Sequence, residues 1–94
     1  MARIRLPGNT HGVLSQWYSG QGDPLYRIMS AFSLGVGRGR LDWDDSGTHF
    51  LFEADEEERA ALDRLADVIE SAANASEYDL YWVEDFRSMK RRQR

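Results

Sequence analysis

YDLYWVEDF, Tyr78 to Phe86, is the segment on which the fold class of this chain turns. Read with a period of two, Tyr78, Leu80, Trp82 and Phe86 share one face, and Tyr81 and Val83 take the other. Rings on both faces describe a strand inside a sheet, since aromatic and β-branched side chains pack well on a pleated surface. The alternation predicts a β-strand here. A disordered basic tail is expected over 88–94.

Immediately upstream the period changes. Ala61, Leu62, Leu65, Val68, Ile69 and Ala72 recur at helical spacing. Asp55 and Glu58 have the spacing of a capping box, and Glu56, Glu57 and Glu58 suit the positive end of a helix dipole. A helix is predicted from Asp55 to about Asn74, ended by Asn74-Ala75-Ser76-Glu77. Before it lies LDWDDSGTHFLFE, Leu41 to Glu53. Two readings compete there. Asp42, Asp44, Ser46, Gly47 and Glu53 fall where a calcium loop places its ligands and its turn glycine. However, GVGRGR from Gly35 to Arg40 cannot form the entering helix, and His49 stands where an aliphatic residue belongs. Leu41 and Trp43, then Phe50, Phe52 and Ala54, instead read as two strands around the turn Asp45-Ser46-Gly47. The expectation is a hairpin with no metal.

Nearer the N-terminus, Asp23 and Pro24 have the chemistry of an N-cap and a first helical residue. Leu25, Ile28, Met29 and Phe32 form one face, and Gly35 supplies a stop. Arg3 to Leu6 and Val13 to Tyr18 read as strands. The sum is one small domain over 1–94, an α+β fold with a small, mainly antiparallel sheet packed against two helices. The expected order is β-β-α-β-β-α-β.

Composition narrows the function. Cysteine is absent, which excludes disulfides, thiolate metal sites and cysteine nucleophiles. MARIRLPGNTHG carries no apolar run of a secretory leader, and no segment has the length and apolarity of a membrane span. A cytoplasmic protein without a membrane role is expected. Charge is partitioned. Residues 1–41 hold five Arg against one Asp, 42–85 hold fifteen Asp or Glu against two Arg, and 86–94 hold four Arg and one Lys. Such asymmetry either steers a charged partner or records no more than an acid-coated helix followed by a basic tail.

The chemistry-bearing candidates are few. His11 and His49 are the only histidines, with Ser15, Ser46 and Asp45 as conceivable partners, and no spacing among them enforces a triad. GVGRGR lacks the Lys-Ser/Thr of a phosphate loop. Asp63, Asp67 and Glu70 share one helical face and form an acidic stripe suited to a basic partner. Trp17, Tyr18 and Tyr26 surround a glycine-rich turn, an arrangement that suits a partner-binding surface and a small core equally. The turn resembles segments of small phage- and plasmid-encoded accessory proteins, on Trp17, Gly20, Gln21, Leu25 and Tyr26. That resemblance implies binding to a host protein and carries over no catalytic residue.

These features point to a non-enzymatic protein-binding module without a cofactor: an inhibitor or accessory protein with an acidic surface for a basic or nucleic-acid-binding partner. The alternative is nucleic-acid binding through Arg3, Arg5, Arg38, Arg40, Arg91 and Arg92. A homodimer is the third option.

Overall fold

The computed structural model describes the backbone of residues 2–92 and the side chains of residues 3–89. Its elements are β1 (Ala2–Pro7), α1 (Thr10–Trp17), α2 (Pro24–Leu34), β2 (Leu41–Trp43), β3 (His49–Ala54), α3 (Glu56–Ser71) and α4 (Glu77–Arg92). The order is therefore β-α-α-β-β-α-α. Among the described residues four helices make up more than half of the chain, and the sheet has three antiparallel strands in the order β1-β3-β2. The expected sheet packed against two helices is corrected to a mainly helical fold.

Two segments account for the difference. Tyr78–Phe86 is helical. Asp79, Trp82, Val83, Phe86 and Met89 are buried, a spacing of three and four, while Tyr78, Leu80 and Tyr81 are exposed. The alternation came from apolar side chains that face solvent. The start signal is local: the Ser76 hydroxyl accepts the Asp79 amide at 3.1 Å, and the Asp79 carboxylate accepts the Ser76 amide at 3.1 Å. Ser76, expected to end one helix, begins the next. Val13–Tyr18 is the second correction. Thr10, Val13 and Leu14 are buried and Trp17 half-buried, the face of a two-turn helix. So short a helix is held by packing on its neighbours rather than by propensity.

The remaining local signals take physical form. The Asp23 carboxylate accepts the Leu25 amide at 2.9 Å ahead of Pro24, and α2 ends at Gly35 with φ 102°. The reciprocal bonds of Asp55 and Glu58 start α3. The hairpin forms with Leu41 opposite Phe52 and Trp43 opposite Phe50. On its other edge β3 pairs with β1, from Ala2 opposite Ala54 to Pro7 opposite His49.

One face of this sheet supplies Ile4, Leu6, Leu41, Phe52 and Ala54 to the core, where they meet Val13, Leu14, Ile28, Leu62, Ile69 and Trp82. Helix α1 packs on α2 and α4, α2 on α3, and α3 on α4, which also packs on β1. Helix α4 thus closes the core. Trp82 is fully buried, stacks on Phe86 with centroids 4.9 Å apart, and donates its indole N–H to the Thr10 hydroxyl at 3.0 Å. Thr10 in turn donates to the Pro7 carbonyl at 2.7 Å. The basic segment after Arg87 continues in α4 to Arg92, while residues 93–94 of the expected tail lie outside the described residues.

Gly8 sits where β1 leaves the sheet. A Cβ there would lie 2.7 Å from the Thr48 carbonyl oxygen. Backbone cannot swing aside as a side chain does, so Gly8→Ala is expected to cost about 1–3 kcal/mol. Gly22 has open space around its Cβ position. Gly22→Ala is expected to stay within about 0.5 kcal/mol. Urea denaturation of both variants measures the difference.

Candidate functional site

Helices α3 and α4 lie side by side and carry much of the acidic charge. Between them runs an open groove of about 430 Å³, lined by Glu70, Leu80, Val83, Glu84 and Arg87. Farther round α4, a second depression of about 350 Å³ is formed by Tyr81, Glu84, Asp85 and Ser88. Leu80 is 44% exposed and Tyr81 66% exposed, and Val68 of α3 also faces solvent. Glu77, Tyr81, Glu84, Asp85 and Ser88 recur at helical spacing, so they share one face of α4.

The acidic stripe lies on the neighbouring helix. Arg87 donates to Asp67 at 2.6 Å and to Glu70 at 2.7 Å. The Glu70 hydrogen bond leads the effects that raise the Arg87 pKa above its ordinary value, outweighing desolvation, with the charges of Glu70, Asp67 and Asp63 adding to it. Asp67 and Glu70 are thus partly neutralised within the molecule. Glu77 and Glu84 are exposed, and among the described residues no cation pairs with either. Sequence reading missed Glu77, Tyr81 and Glu84 because a strand period separates residues that a helix gathers. The signal available was Ser76 followed three residues later by Asp79.

The aromatic turn lies elsewhere. Trp17 is half-buried, Tyr18 is exposed, and the Tyr18 and Tyr26 rings are 5.8 Å apart. Trp17 lines a groove of about 200 Å³ with Asp23, Leu25, Ala61, Arg64, Leu65 and Val68. Burial acts to raise the Asp23 carboxyl, but hydrogen bonds from the Leu25 and Ser19 amides and the Ser19 hydroxyl, with the charge of Arg64, bring it below its ordinary value. Asp23 thereby ties the turn to α2.

A further row of rings was not singled out in the sequence. Trp43 stacks on Phe50 at 4.7 Å, Phe50 meets Phe32 edge-on at 5.0 Å, and Phe32 lies 5.5 Å from His11. Trp43 is 53% exposed at the end of this row.

Four arginines of the nucleic-acid reading, Arg3, Arg5, Arg38 and Arg40, have described side chains, in differing surroundings. Arg5 pairs with Asp44 at 2.7 Å and Arg3 lies 3.7 Å from Asp42. Arg40 reaches inward: its guanidinium lies 4.6 Å over the Phe52 ring and donates to both oxygens of the fully buried Glu58. Arg27 reaches the same carboxylate at 3.3 Å. Burial acts to raise the Glu58 carboxyl, yet Arg40, the Asp55 amide and Arg27 together hold it below its ordinary value. Arg38 is exposed on the loop. The side chains of Arg91 and Arg92 lie outside the described residues.

Hydrogen bonds link the hairpin tip to α4. His49 Nε2 lies 2.9 Å from Asp85 Oδ2, so this nitrogen carries a proton and donates it to the carboxylate. Thr48 Oγ1 lies 2.8 Å from His49 Nδ1 and 3.0 Å from Ser46 Oγ, which donates to Asp44 at 2.8 Å. The Ser46 hydroxyl first, then Arg5, outweigh desolvation and hold the Asp44 carboxyl below its ordinary range. The amides of Gly47 and Thr48 are bonded to Asp44 O and Ser46 Oγ, so neither is free to stabilise an oxyanion beside the Thr48 hydroxyl. The series fastens the hairpin to α4 and β1. Asp42 and Asp44, expected as calcium ligands only in the discarded reading, face Arg3 and Arg5. Among the described residues, no group of three or more His, Asp or Glu is placed to hold a metal ion, and no helix is long and apolar enough to cross a membrane.

No protein-family model, curated protein or solved structure matches the chain.

Proposed function

We propose that the chain is a non-enzymatic protein-binding module that presents the acidic α3–α4 face to a basic partner. A small cytoplasmic inhibitor, or an accessory protein of a mobile element acting on a nucleic-acid-binding protein, is the role that suits such a face. The observation that carries the reading is the exposure of Leu80 and Tyr81 beside Glu77 and Glu84, carboxylates with no internal cation among the described residues. Exposed apolar side chains rimmed by charge mark contact surfaces, with aromatic rings as frequent anchors. Uncompensated carboxylates raise the encounter rate with a basic partner.

The test starts from the tagged full chain and a Glu77→Lys/Glu84→Lys variant, used for capture from native host extract treated with nuclease. Both positions are exposed and lysine is a good helix former, so the variant is expected to keep its helical circular dichroism. A captured basic protein is then measured by surface plasmon resonance at rising salt. The expected result is association slowed about tenfold or more in the variant, with a weaker salt dependence. Equal association rates and salt slopes for the two proteins would remove this face from consideration.

A further inference from the structure

We infer that the depression formed by Tyr81, Glu84, Asp85 and Ser88 takes an arginine side chain of the basic partner. This rests on the proposed acidic-face reading and names the group that the face selects.

Tyr81 is 66% exposed, which leaves its ring open to stacking. Glu84 and Asp85 follow at three and four positions, so their carboxylates rise beside the ring on one helical face. Ser88 closes the depression with a hydroxyl. A planar guanidinium can lie on the ring while its edge donates to carboxylates, and its weak hydration lowers the cost of leaving water. An ammonium group is more strongly hydrated and has no planar edge for both contacts at once.

The surroundings favour this occupant. Arg87, the cation on this part of α4 whose side chain is described, is engaged by Asp67 and Glu70 on the α3 side. Among the described residues no cation engages Glu84, which leaves it open to an outside one. Asp85 is held by His49 Nε2, at 3.2 and 2.9 Å from its two oxygens. That contact fixes the carboxylate before the partner arrives, so less side-chain entropy is lost on binding. Asp85 remains 42% exposed and keeps acceptor capacity for the partner.

The experiment uses the full chain and two labelled peptides of equal length and charge, one of alternating arginine and glycine and one of alternating lysine and glycine. Fluorescence anisotropy gives both affinities for wild type, Tyr81→Ala, Tyr81→Phe and Trp43→Ala. The expected result is that wild type prefers the arginine peptide by about three- to tenfold, as a ring–guanidinium contact supplies. Tyr81→Ala abolishes the preference, while Tyr81→Phe and Trp43→Ala retain it. Equal, salt-sensitive binding of the two peptides by wild type would overturn the arginine site and leave the acidic-face reading standing. Binding of neither peptide would overturn both. A preference that survives Tyr81→Ala, or is lost in Trp43→Ala, places the contact elsewhere and overturns the assignment.

Discussion

Glu58→Ala is expected to destabilise the protein by about 3–5 kcal/mol, the effect of removing one partner from a buried charge network. Glu58 is fully buried and binds Arg40 through two nitrogens, Arg27 through a third, and the Asp55 amide. The substitution leaves Arg40 stacked over Phe52 with its principal carboxylate gone. It also removes half of the capping box that starts α3. Urea denaturation at neutral pH measures the loss, and a cost under about 1 kcal/mol would mean that Arg40 turns freely to solvent.

The same carboxyl gives a pH signature with a definite sign. Its folded pKa lies below the ordinary value of 4.5. A lowered folded pKa contributes stability that is present above the unfolded value and lost as pH falls through the folded one. Wild type should therefore lose stability on acidification faster than Glu58→Gln. The gap between the two should be widest near neutrality and narrow as pH falls below 4.5. Asp23 and Asp44 shift in the same direction but are present in both proteins, so the difference isolates Glu58. A constant gap across the acid range would show that the charge at Glu58 contributes nothing to folding.

Trp82→Ala is the second large effect, about 3–5 kcal/mol. It removes the largest fully buried side chain, its stacking on Phe86 and the indole hydrogen bond to Thr10. Leu80→Ala is the matched control, since a strand would place Leu80 on the same face as Trp82. In the helix Leu80 is 44% exposed. Its replacement is expected to stay within about 0.5 kcal/mol. Denaturation of the two variants thus reads the periodicity of α4 directly. Comparable costs at both positions would restore the strand.

The sequence by itself determined the features whose signals are local. Asp23-Pro24, Asp55 with Glu58, and Asp45-Ser46-Gly47 specify helix starts and a turn because each satisfies its own neighbouring amides or turn geometry. The stripe from Ala61 to Ala72 likewise marked much of the buried face of α3, but Val68 is exposed, Ala72 caps the helix end, and buried Glu58 and Ala66 were not in it. The acidic stripe was legible on that helix, but its pairing with Arg87 depends on how α3 and α4 lie together. Only the tertiary structure decided the state of α1 and α4. Gly12 lowers the helix propensity of α1, yet its missing side chain admits Tyr78, whose Oη would lie 2.3 Å from a Cβ there. Helix α4 carries Tyr78, Leu80 and Tyr81 on its outward side, where the exposed apolar residues hide the helical period. Both helices depend on contacts 69 and 72 residues apart in the chain: Asn9 donating to the Tyr78 carbonyl, and Trp82 to Thr10. Short-range periodicity does not encode such pairs. The candidate face follows the same logic, since Tyr81, Glu84 and Asp85 come together only once the segment coils and His49 of the hairpin is brought against it.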